Sequence, residues 1–321
     1  MKEMEAIARV SPLNSYRLHF FISSGCSEKQ LPPLRDLPSA SSVYDGTVNR
    51  DTFPHLTYPH KRVFVMRVAI ALAALFVAAP VFAQETGTLK VKFVYGGAAF
   101  KPEPVNVTKD VEVCGKHPLM NERLLVDAES KGIQNVVLYV YTGRGGSKLP
   151  PQTATNATHV LANDKCRFEP RFVVMQAGDT LKITNPDAVG HNANLNFFAN
   201  PAQNITIPPG AEKMIKVEKP EPAPIPVDCN IHPWMRAYII AVDHPFVGVS
   251  DKNGSLEIKG LPAGEKLTFR LYHEAAGSAI KEVMIDGKAT AMKKNLLELD
   301  IKSGMNDYGT ITIPADALSA Q

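Results

Sequence analysis

The sequence predicts an all-β protein built as one or two sandwiches. Short runs rich in Val, Ile, Thr, Tyr and Phe recur from residue 88 onward, and Gly, Pro, Asn or Asp separates one run from the next. Helical periodicity is weak, and 287–297 is the one stretch that shows a trace of it. The runs that read as strands are 88–95, 134–142, 171–175, 179–184, 204–207, 213–217, 236–242, 255–259, 266–272 and 309–314.

The first 65 residues show no sustained period of either kind, and they precede a segment that explains why. Lys61, Arg62 and Arg67 lead into an apolar run from Val68 to Ala79, followed by Val81-Phe82-Ala83 with small residues at the −3 and −1 positions. These are the parts of a secretory signal peptide over 66–83, cleaved after Ala83. The alternative is an uncleaved anchor, but a bilayer needs roughly 20 apolar residues and this run holds about a dozen. Residues 1–65 are then expected to be a non-native extension, with translation starting at Met66. Export implies an oxidising compartment, periplasmic in a bacterium, and no membrane span in the mature chain.

The exported part carries Cys114, Cys166 and Cys229. An odd count leaves one thiol with a reason to stay reduced. Proline-rich 218–228 cannot supply a central strand, since each proline lacks a ladder donor, so it reads as an extended edge segment delivering the chain to Cys229. There the sequence runs Cys229-Asn230-Ile231-His232-Pro233-Trp234-Met235-Arg236. A thiolate, an imidazole and a weak thioether form a soft, nitrogen-containing donor set that suits copper, and a second histidine would complete a trigonal site with a long axial Met. The candidate is His191, in a loop after the strand at 179–184 and the polar turn Asn185-Pro186-Asp187.

These residues resemble the cupredoxins, the blue copper proteins. The spacing Cys-x-x-His-Pro-aromatic-Met-Arg is similar to the short ligand loop of the amicyanins. Upstream, 168-FEP-170, Gly178-Asp179, Asn185 and His191-Asn192 follow the order of the cupredoxin strand that leads to its first histidine ligand. The resemblance covers about a third of the mature chain, roughly 160–243. It implies a Greek-key sandwich with His191, Cys229 and His232 as equatorial ligands, Met235 as the axial one, and Asn192 hydrogen-bonding the two ligand loops together. It also implies single-electron transfer, with the C-terminal histidine reaching a surface patch. Pro233 and Trp234 would then form a docking patch, although Trp234 reads equally as a core residue.

A rival metal reading pairs Cys114-x-x-His117 with Cys229-x-x-His232 in a tetrahedral zinc site. It would leave His191 and Met235 unexplained and Cys166 alone. A Cys114–Cys166 disulfide accounts for all three cysteines, and reduced thiols remain the other alternative. His117, His159, His244 and His273 have no partner motif and read as surface or structural histidines.

Beyond the ligand loop, an Asp-x-x-Gly turn at 251–254, a strand, Leu261-Pro262-Ala263-Gly264 and a further strand resemble the carboxypeptidase regulatory-like domain, a small transthyretin-like β-sandwich. The expected organisation is an N-terminal β segment at 84–159, a cupredoxin domain at 160–243 and the second sandwich at 244–321. The 84–159 strands either belong to that second sandwich, which makes the cupredoxin an insertion, or stand in tandem with it.

The remaining composition excludes more than it suggests. A net charge of +3 with no basic stripe speaks against a nucleic-acid partner. Gly-x-Ser-x-Gly, His-Glu-x-x-His, phosphate-loop and haem-attachment motifs are all missing. With four protein ligands on the metal, no position stays open for a substrate, so no enzyme activity is expected. The expected function is electron transfer between periplasmic redox proteins. The amicyanin likeness implies a quinoprotein amine dehydrogenase of methylamine utilization as donor and a c-type cytochrome as acceptor. Copper handling without electron transfer, and a structural sandwich with a vestigial metal site, are the alternatives.

Overall fold

Eighteen strands, one α-helical turn and one 3-10 turn at Ala315–Ala317 make up the described part of the computed structural model, which comprises residues 85–98, 101–276 and 279–319. The expected N-terminal extension, the signal peptide and Cys26 lie outside the described residues. In chain order the elements are β1 (Thr86–Tyr95), α1 (Val111–Cys114), β2 (Val137–Val140), β3 (Thr158–Asp164), β4 (Arg167–Glu169), β5 (Phe172–Gln176), β6 (Thr180–Thr184), β7 (His191–Leu195), β8 (Gln203–Ile207) and β9 (Glu212–Lys216). They continue with β10 (Ile225–Asp228), β11 (Arg236–Val242), β12 (Val247–Val249), β13 (Ser255–Pro262), β14 (Glu265–Tyr272), β15 (Glu282–Ile285), β16 (Lys288–Ala291), β17 (Leu296–Ile301) and β18 (Gly304–Ile313). The fold class is all-β.

The strands form four sheets that pack as two sandwiches. One pairs the sheet β5-β11-β10-β7-β8 with β4-β3-β6-β9; the other pairs β13-β1-β18-β15-β16 with β12-β2-β14-β17. Each has its own apolar core, the first around Leu161, Phe168, Leu181, Ile183 and Leu195, the second around Leu89, Phe93, Leu138, Phe269 and Ile311. β1 lies between β13 and β18, and β2 between β12 and β14, so both are interior strands of the second sandwich. All of β3 to β11 therefore sits, in sequence, between two neighbouring strands of that sandwich.

Three strands are apolar on both faces. In β11, Ala237, Ile239 and Ala241 point into the first core, while Tyr238, Ile240 and Val242 join a third cluster with Phe172 of β5 and Val137 and Tyr139 of β2. Side chains alternate along a strand, so a strand buried on both sides must be apolar at every position, as the run 237-AYIIAV-242 is. Phe172 and Tyr238 stack at 5.0 Å, and Tyr272 meets both rings edge-on. Beside them Arg171, before β5, makes a two-pronged ion pair with Glu274, after β14. The pair has side chains only 10% and 1% exposed and ties the two sandwiches together.

Three expectations are corrected. Residues 287–297 form no helix: they hold β16 and the start of β17, with turns where Gly287, Lys294 and Asn295 take positive φ. The proline-rich segment is not an edge, because its end, β10, is the central strand of its sheet. Pro226 is tolerated there because its ladder with β7 begins only at Val227. The Pro226 carbonyl accepts a bond from Asn196 N–H on the β7 side, so its missing donor also faces that side, beyond the last ladder pair. Finally, His191 opens β7 rather than lying in a loop.

Candidate metal centre

Two connections converge at one end of the first sandwich. Between β6 and β7, Asn185 N–H groups bind the carbonyls of Val189 and Ile207, and its side-chain oxygen accepts the Asp187 N–H, which shapes the turn that ends at His191. Between β10 and β11, the Cys229 N–H reaches the Met235 carbonyl at 3.2 Å and the Met235 N–H reaches the His232 carbonyl at 2.9 Å, closing the loop on itself. Asn192 joins the two connections. Its side-chain oxygen accepts N–H bonds from Asn230 at 2.8 Å and Ile231 at 3.3 Å, and its own N–H points at Cys229 Sγ at 3.5 Å.

The result brings His191, Cys229 and His232 together. His191 Nδ1 lies 2.9 Å from His232 Nδ1, and Cys229 Sγ lies 3.7 Å from His232 Nδ1. Both histidines have zero exposure; Cys229 and Met235 are each 1% exposed and belong to the same apolar cluster. Each ring's other nitrogen is held by a carboxylate: His191 Nε2 by Asp187 Oδ2 at 2.9 Å, and His232 Nε2 by Asp110 Oδ2 at 2.8 Å.

These bonds provide a test of whether a metal fits. With both Nε2–H groups donating to carboxylates, both Nδ1 lone pairs face each other across 2.9 Å, which requires a proton or a cation between them. Two imidazole nitrogens and a thiolate, all buried, are a donor set for a soft or borderline transition metal, and the residues fit copper. Burial pushes the Cys229 thiol up, yet its contacts with His191 and His232 and the Asn192 N–H more than offset it and bring the pKa down to about 6. Burial likewise opposes charge on His232, but its contacts with Cys229 and Asp110 hold its pKa above the ordinary value.

Cys114 and Cys166 are joined by a disulfide, with Cα atoms 5.5 Å apart. Cys114 thus has no thiolate for the rival zinc site, and Cys166 near Asp187 and His191 has none either. Cys229 is the free, buried thiol of the described residues. Trp234 is half-buried, its ring 5.2 Å from that of His232, and its indole N–H donates to the Cys166 carbonyl at 2.9 Å. Together with exposed Pro233 it lines a cavity of about 490 Å³ that also holds Glu122, Arg171 and Arg236. His232 does not reach the surface as the resemblance implied, because Asp110 covers its edge.

Two residues beside the site escaped sequence reasoning. Asp187 stands four positions before His191 in the turn already singled out, so its spacing was a usable signal. Asp110 is 122 positions from His232 and no local pattern points to it. Three other histidines are placed by structural bonds: His159 on Asp179, His244 on the Val140 carbonyl and His273 on the Gln134 carbonyl.

No known family profile matches the chain, and no curated protein matches it. Among solved structures it is similar to an oxidised amicyanin variant at 19% identity, over 28% of this chain and 86% of that one, with a TM-score of 0.24. A copper-containing nitrite reductase from Thermus scotoductus SA-01 matches at 19% identity and a TM-score of 0.24, over 31% of this chain but only 24% of its own length. A purple cupredoxin from Nitrosopumilus maritimus matches at 19% identity and a TM-score of 0.23, over 26% of this chain and 98% of its own. These neighbours are cupredoxin structures. Among the described residues no helix is long and apolar enough to cross a membrane.

Proposed function

We propose that the protein is an exported copper protein in which His191, Cys229, His232 and Met235 would hold one copper ion, and that it carries single electrons. The observation that carries the reading is the convergence of two Nδ1 atoms and one Sγ in a water-excluded pocket, each ring fixed from behind by a carboxylate. Copper bound there would supply a one-electron couple. The chain's own part is to hold the donors still: Asp187 and Asp110 orient the rings, Asn192 ties the ligand loops, and burial keeps water from reorganising around the site. With every proposed donor 1% exposed or less, no ligand edge is open to a substrate, which supports a carrier rather than an enzyme. The proposed partners are periplasmic redox proteins, a quinoprotein dehydrogenase or a c-type cytochrome, meeting the protein near Pro233 and Trp234.

Copper(II) added to the purified protein should produce an intense blue colour and narrow copper hyperfine splitting in electron paramagnetic resonance. Cys229→Ser should abolish both. A colourless parent protein rejects the reading, and a Cys229→Ser protein that stays blue rejects the ligand assignment. The burial of His232 favours a second reading, copper handling without electron transfer, because the ring edge best placed to exchange electrons is covered. Reversible electrochemistry with fast exchange to a cytochrome supports the carrier; its absence in a blue protein supports handling.

A further inference from the structure

We infer that Asp110 is a positioning residue of the metal centre, brought to His232 by a disulfide-anchored segment that precedes the first sandwich in sequence. Asp110 belongs to the connection between β1 and β2, strands of the other sandwich. Its Oδ2 lies 2.8 Å from His232 Nε2, and this bond selects the tautomer that leaves Nδ1 bare toward His191 and Cys229.

The structure builds this contact deliberately. Asp110 takes a left-handed backbone conformation, φ 46° and ψ 44°, which disfavours most L residues. Its carbonyl accepts the N–H groups of Val113 and Cys114, which starts the single turn of α1. Cys114 is bonded to Cys166; the Cys166 N–H donates to Asp187 Oδ2 at 2.8 Å; and the same oxygen holds His191 Nε2. One covalent and hydrogen-bonded circuit therefore carries both carboxylates that orient the two rings. The Asp110 side chain is 42% exposed above a ring with no exposure, so solvent screens much of its charge and the directed bond is the larger effect.

That balance sets the order of two variants. Asp110→Gly keeps the left-handed conformation at no steric cost and deletes the acceptor. It should lower copper(II) affinity about 10- to 100-fold, as loss of a partner behind a ligand does. In the metal-free protein it should convert His232 from the Nε2–H tautomer to a mixture, read from the ring ¹⁵N shifts. Asp110→Asn also accepts the left-handed conformation and keeps an oxygen acceptor, so it should retain the tautomer and lose less affinity than Asp110→Gly. The affinity arm rests on the copper reading and the tautomer arm does not. A parent protein that binds no copper defeats that reading while the ¹⁵N shifts still judge Asp110. A His232 Nε2 that carries no proton in the metal-free parent overturns the inference, as does an Asp110→Gly protein with parental affinity and an unchanged tautomer. Should Asp110→Gly fail to fold, a loss of affinity in Asp110→Asn with an Nε2–H parent sustains the inference, and parental affinity in Asp110→Asn or a tautomer change in it overturns the inference.

Discussion

Reducing the Cys114–Cys166 disulfide should destabilise the metal-free protein by about 4 kcal/mol. The bridge closes a loop of sequence separation 52, and the loop-closure entropy of an unfolded chain of that length amounts to about 14 cal/mol/K, or about 4 kcal/mol at 25 °C. The native contacts around the bridge do not need the sulfur bond. The Trp234 indole N–H still has the Cys166 carbonyl, and the Cys166 N–H still has Asp187. The loss therefore acts on the unfolded state. Urea unfolding of a Cys229→Ser protein, with and without a phosphine reductant, measures it without interference from the third thiol. At a slope of about 3 kcal/mol per molar urea, the midpoint should fall by about 1.4 M. A fall below about 0.3 M would refute the reasoning, because the unfolded chain would then be held together without the bridge.

Four further outcomes are expected. Met235→Leu should keep the blue colour and raise the reduction potential, since a donor that favours the oxidised ion is lost; cyclic voltammetry checks it. Arg171→Met strands the buried Glu274 carboxylate and should cost about 3–5 kcal/mol in urea unfolding, most of it recovered in Arg171→Met/Glu274→Leu. Burial would raise the Asp179 carboxyl, but bonds from Thr155, the Gln176 N–H, His159 and the Ala157 N–H bring it from 3.8 down to about 2. Its contribution is complete above pH 4 and lost as pH falls toward 2, a loss that Asp179→Asn should not show in acid unfolding. Burial lowers His273 from 6.5 to about 4, so the folded state binds fewer protons than the unfolded chain between those values. Stability should fall as pH drops through that window, and the His273 ring should stay neutral down to about pH 4 by NMR titration.

Legibility followed range. The spacing of Cys229, His232 and Met235 is readable because one tight loop, closed by bonds within residues 229–235, places all three. Asn192 is readable because it adjoins His191. Pro226 misled because a proline excludes a ladder donor only on the side where a ladder runs, and β7 stops one residue short of it. The 287–297 region shows only a trace of helical period, and positive φ at Gly287, Lys294 and Asn295 turns it into two strands.

By itself, the amino-acid sequence determined the strand-rich class, the donor types and the short ligand loop, all set by side-chain chemistry and spacing within a few residues. Tertiary structure alone decided that β1 and β2 belong to the second sandwich, that β11 is buried on both faces, and that Asp110 closes over His232. Each of these depends on which distant segments pack together. Packing follows from the burial of whole faces, which leaves no mark in the residues adjacent to the site.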